Sequence, residues 1–140
     1  MQKITFVVVG KIKESFYREA MDEYAKRISR FAKLEVKELP EGASLETEVE
    51  IKELPEGANP ETEADDILRA VKGYTVALCV EGEKLSSERL AGKLKKLEDT
   101  GKEITFVIGS SCGLSERVKA AADYRLSFSD MTFPHQLMRV

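Results

Sequence analysis

A chain of 140 residues and 15.7 kDa, of which 42% are hydrophobic, is sized for one domain with one ordinary core. Charged residues make up 34%, the net charge is -3 and the pI is near 5.4, which excludes the global basic field that collects nucleic acid; if RNA is the partner, it must be met by a local patch, by shape or through another macromolecule. No apolar run reaches the roughly 18 residues of a membrane span, and the opening MQKITFVVVG lacks a signal-peptide cleavage pattern, so a cytoplasmic address is expected.

The run ITFVVV at residues 4–9, closed by Gly10, predicts a strand buried on both faces, which favours a parallel sheet. Over residues 15–32 the apolar side chains Tyr17, Met21, Tyr24, Ile28 and Phe31 recur at helical spacing, giving a helix whose Met and aromatic stripe suits a core or dimer face. Leu34 and Val36 alternate with charge as a short strand. Residues 34–48 (LEVKELPEGASLETE) and 49–63 (VEIKELPEGANPETE) are a direct tandem repeat. Two copies cannot build a solenoid, so the repeat is expected to be a duplication that lengthened an acidic loop around residues 38–63. Asn59-Pro60 then starts a helix to about Lys72, stopped by Gly73. A strand over residues 74–80 turns at Glu81-Gly82-Glu83, and Ser86 or Ser87 caps a helix carrying Leu90, Leu94 and Leu97 to near Gly101. Residues 104–108 form a strand, Ser115 caps a helix through Ala122, residues 125–128 form a final strand, and a last helix begins at Pro134. The order βαβαβαβαβ predicts one mostly parallel α/β sheet with helices on both faces.

The chemistry is less explicit. Cys79 and Cys112 form no close-spaced metal motif, and a single histidine, His135, leaves no zinc site. Neither G-x-G-x-x-G nor G-x-x-x-x-G-K-[ST] occurs. Three corners at strand ends remain: Leu78-Cys79-Val80-Glu81-Gly82, Gly109-Ser110-Ser111-Cys112-Gly113, and Phe128 to Pro134 (FSDMTFP). They combine apolar walls with backbone donors and acceptors, which suits an adenosine-containing cofactor.

At these corners the chain resembles the SPOUT class of RNA methyltransferases and, within it, the ribosomal large subunit methyltransferase H family. The resemblance runs through ITFVVVGKIKE, EAMDEYAKRISRFAKLEV, KLSSERLAGKL, FVIG, GLSE and above all LSFSDMTFPHQLMRV. It implies a trefoil-knotted α/β fold, S-adenosylmethionine as methyl donor, and a homodimer whose active site uses both subunits. The implied reaction is methylation of N3 of a pseudouridine in 23S rRNA of the assembled ribosome. Carried over by position, it implies cofactor contacts at Leu78, at Gly109, and at Phe128, Ser129, Asp130, Met131, Thr132 and Phe133. Gly109 would let the backbone approach the ligand closely, and Leu78, Met131 and Phe133 would wall an adenine.

His135, with the one near-neutral reference pKa in the chain, is either a base beside the cofactor loop or a helix-start histidine bonded to backbone. Arg139 is the second catalytic candidate, holding an RNA phosphate or a facing subunit, and Lys11 and Lys13 would extend that local RNA surface. The chain departs from the family in having Ser110 where a second glycine is usual and Cys79 where an acidic residue is usual. The family also continues past the position of Val140 into a long helix and a Tyr- and His-containing tail, so the last helix is expected to be cut short. A noncatalytic α/β module that keeps the cofactor pocket or a dimer surface is the alternative reading.

Overall fold

Strand β1 (Gln2–Val9) lies inside the sheet, with β2 (Ala32–Leu39) on one side and β4 (Ile104–Ile108) on the other. The computed structural model describes residues 2–10, 12, 14–39, 60–109, 113–134 and 136–140, with the side chains of 60–62 set aside. Lys11, Lys13, Ser110, Cys112, His135 and residues 40–59 of the tandem repeat lie outside the described residues. Beyond β4 come β3 (Tyr74–Lys84) and the edge strand β5 (Tyr124–Ser127), giving the order β2-β1-β4-β3-β5 with every pair parallel. The helices are α1 (Ser15–Ile28), α2 (Pro60–Ala70), α3 (Ser87–Asp99) and α4 (Glu116–Ala121).

Alternation along each strand divides the apolar residues between two layers. Val7, Val9, Ala77 and Val107 face Ala64 and Ile67 of α2 and Val118 of α4. On the opposite face Ile4, Phe6, Val76, Phe106 and Leu126 meet Leu90, Leu94 and Leu97 of α3. The Phe6 and Phe106 rings stack there with centroids 5.2 Å apart, and α1 covers the β1–β2 side of the same face. Val7, Val8, Val9 and Val107 are fully buried, each worth about 1.5–3 kcal/mol against exposure. Continuous apolar runs at β1 and β4 thus reflect burial on both sides of the sheet.

Several element ends differ from the pattern read in the sequence. Helix α1 stops at Ile28, because Ala32 already pairs with Gln2 in the β1–β2 ladder and the chain needs Ser29 to Phe31 to turn. Phe31 is left exposed in that turn, and Met21 is the buried member of the helix stripe. Strand β3 does not end before Glu81 but runs on to Lys84, because β5 pairs with it both before and after an irregularity. The expected final α-helix is instead a 3₁₀ turn over Leu137–Arg139, preceded by one bond from Met138 N–H to the Pro134 carbonyl. Such tightened turns are common at helix starts and ends.

Candidate functional site

The carboxyl ends of β3, β4 and β5 open into one cleft of about 570 Å³, a size suited to a nucleoside-type ligand. Its first wall is set by the irregularity in β3. Leu126 pairs with both Leu78 and Glu83, so residues 79–82 have no place in the ladder and bow out at the cleft. A bulge of this kind re-aims side chains next to a site. Gly82 makes it feasible: a Cβ there would lie 2.7 Å from the backbone carbonyl carbons of Arg125 and Leu126.

The second wall is the end of β4. A Cβ at Gly109 would sit 2.7 Å from the backbone of Gly113, so a side chain is excluded first by the returning loop that leads into α4. That helix starts at Ser115, whose hydroxyl accepts from Val118 N–H at 3.4 Å. It delivers Lys119 to the cleft.

The third wall follows β5. Ser127 Oγ donates to the Ser129 carbonyl at 2.8 Å, and Ser129 Oγ accepts from Met131 N–H at 3.0 Å. These bonds coil the loop locally and leave Phe128, Met131 and Phe133 at 57%, 73% and 42% exposure. Three large apolar side chains uncovered in one concave place mark a binding surface rather than a core.

Leu78, Gly109, Phe128, Ser129, Met131, Thr132 and Phe133 therefore line a single cleft. Asp130 belongs to the same loop, but its carboxylate bonds Lys84 at 2.7 Å and is not part of the lining. Arg139 is also elsewhere. Its guanidinium is 1% exposed, donates to the Val9 carbonyl at the end of β1 and lies 3.5 Å from Glu38. Glu38 in turn takes Arg18 at 3.2 Å and Ile12 N–H at 3.3 Å. The guanidinium is thus turned into the protein, away from any solvent-borne phosphate, while its neighbour Met138 reaches the cleft.

Glu81 of the first corner meets a residue that the sequence did not single out, Lys119, and the two form an ion pair in the cleft. The bond from Lys119 holds the Glu81 carboxyl below its ordinary value, and the bond to Glu81 raises the Lys119 ammonium. Cys79 beside them is pushed up, first by burial and then by the Glu81 charge, against the opposing pull of Lys119 and Arg125. The spacing of Glu116 and Lys119 on α4 signals their own pairing, but no local signal joins Lys119 to Glu81. Among the described residues no group of three His, Cys, Asp or Glu side chains could hold a metal ion, and no helix is long and apolar enough to cross a membrane.

Comparison with known proteins accords with this geometry. A family described as "Predicted SPOUT methyltransferase" matches residues 2–140. A protein of Methanococcus maripaludis named putative ribosomal RNA large subunit methyltransferase H is 43% identical over 140 residues, spanning 98% of this chain and 86% of the relative. Proteins named ribosomal RNA large subunit methyltransferase H are 44% identical in Alkaliphilus oremlandii, over 98% of this chain and 86% of the relative. In Bifidobacterium adolescentis the figures are 42% identity over 99% and 87%. With a family match over almost its whole length and an α/β all-parallel sheet ending in an apolar cleft, the chain belongs to the SPOUT methyltransferases and is an enzyme of methyl transfer.

Proposed function

We propose that this enzyme transfers a methyl group from S-adenosylmethionine to N3 of a pseudouridine in 23S rRNA of the assembled ribosome, acting in the cytoplasm as a homodimer. The observation that carries the reading is the convergence of Leu78, Gly109 and the Phe128–Phe133 loop on one cleft. The names of the relatives supply the ribosomal RNA. The residues present suit the cofactor: Leu78, Met131 and Phe133 are apolar walls for an adenine, and the strand-end backbone offers polar groups to read its edge. When bound, the cofactor supplies a methyl group activated on a sulfonium sulfur.

What the protein adds is placement and exclusion of water. The apolar loop side chains dry the cleft, and the two serine bonds hold that loop in shape. His135 is the proposed base for the proton that the acceptor nitrogen loses. Arg139 serves by anchoring the turn that carries Met138. With a net charge of -3, free RNA has little to hold it to the protein, so the substrate is read as an assembled particle. Apolar side chains around α1, among them Phe16, Tyr24 and Val36, are exposed and suit a subunit contact.

The test is transfer of labelled methyl to ribosomes that lack the modification, beside deproteinised 23S rRNA. Label on the ribosomal substrate alone, mapped to pseudouridine N3, is expected. Cofactor binding without transfer to either substrate would overturn the catalytic reading and favour a noncatalytic module.

A further inference from the structure

The cleft is apolar along most of its wall, and its charge is concentrated in one place. Among the described residues that line it, Glu81 and Lys119 are the charged side chains. The hydroxyls of Ser127 and Ser129 are neutral, and each makes a bond within its own loop. Lys119 is held from two sides, by Glu81 and by Glu116 at 3.5 Å, and its side chain is 14% exposed. Glu81 differs. One of its oxygens, Oε1, takes the ammonium, yet the side chain is 53% exposed, and a carboxylate has about four acceptor sites. Acceptor capacity therefore remains on a carboxylate that the β3 bulge has pushed out of the ladder and that a lysine fixes in direction.

We propose that Glu81 is a specificity-determining residue that accepts hydrogen bonds from the two vicinal ribose hydroxyls of the ligand in this cleft, with Lys119 as its positioning partner. The inference rests on the adenosine-type ligand proposed above. A neutral diol is the partner that fits. The Lys119 cation in contact with the carboxylate balances its charge and would repel a ligand ammonium brought to the same oxygens, whereas two neutral O–H donors meet only an acceptor. The bond from Lys119 keeps Glu81 ionised well below neutral pH, and hydrogen bonds to an ionised acceptor are stronger than those between neutral groups.

The experiment is calorimetric titration of the protein with S-adenosylhomocysteine and with its 2′-deoxy and 3′-deoxy forms, repeated on E81A and E81Q. In the unsubstituted protein, loss of either hydroxyl is expected to weaken binding about tenfold or more. In E81A the parent ligand should fall to a similar level, and the difference among the three ligands should vanish. E81Q, which keeps one acceptor oxygen, should keep a reduced difference. Equal affinity of the unsubstituted protein for all three ligands overturns the assignment, as does discrimination that survives in both variants. Should E81A not fold, judged by circular dichroism, the ligand series on the unsubstituted protein and E81Q decides. If the parent ligand does not bind the unsubstituted protein at all, the cofactor reading itself falls, and this inference with it.

Discussion

Cys79 reports on the charges around it. Its thiol is raised by burial first and by Glu81 second, while Lys119 and Arg125 pull it down. At neutral pH it should therefore react with a maleimide more slowly than a free cysteine, since only the thiolate attacks. Glu81→Gln removes a charge that raises the thiol and should speed labelling; Lys119→Met removes one that lowers it and should slow labelling. Peptide-resolved mass spectrometry separates Cys79 from Cys112, and opposite shifts in the two variants are the expected outcome. The Glu81–Lys119 pair persists across the pH range of such an assay. The contribution of Glu81, whose pKa is lowered, is present above the ordinary glutamate range and is lost only as pH falls through the lowered value. That of Lys119, whose pKa is raised, is present below the ordinary lysine range and is lost only as pH rises through the raised value. Its weight in stability is small, because Glu81 is more than half exposed and screened.

Helix α4 has six residues, too few to be stable without its packing and its cap. Ser115→Ala removes the bond to Val118 N–H in a buried place and should cost about 1–2 kcal/mol in urea unfolding. Ser86 caps the longer, exposed α3 through Arg89 N–H at 3.2 Å, and Ser86→Ala should cost about 0.5–1 kcal/mol. Because α4 also carries Lys119 to the cleft, and Leu114 just before its cap lines the cleft as well, only the Ser115 change should weaken ligand binding. The Ser115 cap was legible in the sequence and the α3 cap was narrowed to Ser86 or Ser87, since a serine before a charged first turn is a local signal. So were β1 and β4, whose apolar runs need no knowledge of their neighbours. The continuation of β3 was not legible: Glu81-Gly82-Glu83 has the composition of a turn, and only pairing with β5, about forty residues later, makes it a bulge. The cleft divides in the same way. Leu78, Gly109 and the Phe128–Phe133 loop were reached through a family likeness, whereas the meeting of Glu81 with Lys119 depends on how α4 lies against that bulge.

Across the whole molecule Arg139 ties the last turn to the first strand, bonding the Val9 carbonyl and facing Glu38, which also holds Arg18 of α1 and the Ile12 N–H. Arg139→Ala leaves a carbonyl without its donor and a half-buried carboxylate with fewer partners, and should destabilise by about 3 kcal/mol. Arg18→Ala, at a side chain 41% exposed, should cost under about 1 kcal/mol. Denaturant midpoints of the two variants measure the contrast, and near-equal losses would mean that Arg139 contributes no more than the surface pair of Arg18 with Glu38. The sheet order has a consequence in time. β1 is made first and can pair with β2 soon afterwards, but its other edge waits for β4, where Ile4 meets Ile104. At about 5–20 residues per second, a ribosome needs several seconds to bridge that interval. Until then the valines of β1 present an unpaired, sticky edge to anything nearby. Chaperone demand should therefore ease when β4 clears the exit tunnel and end only once β5 has paired with the outer edge of β3.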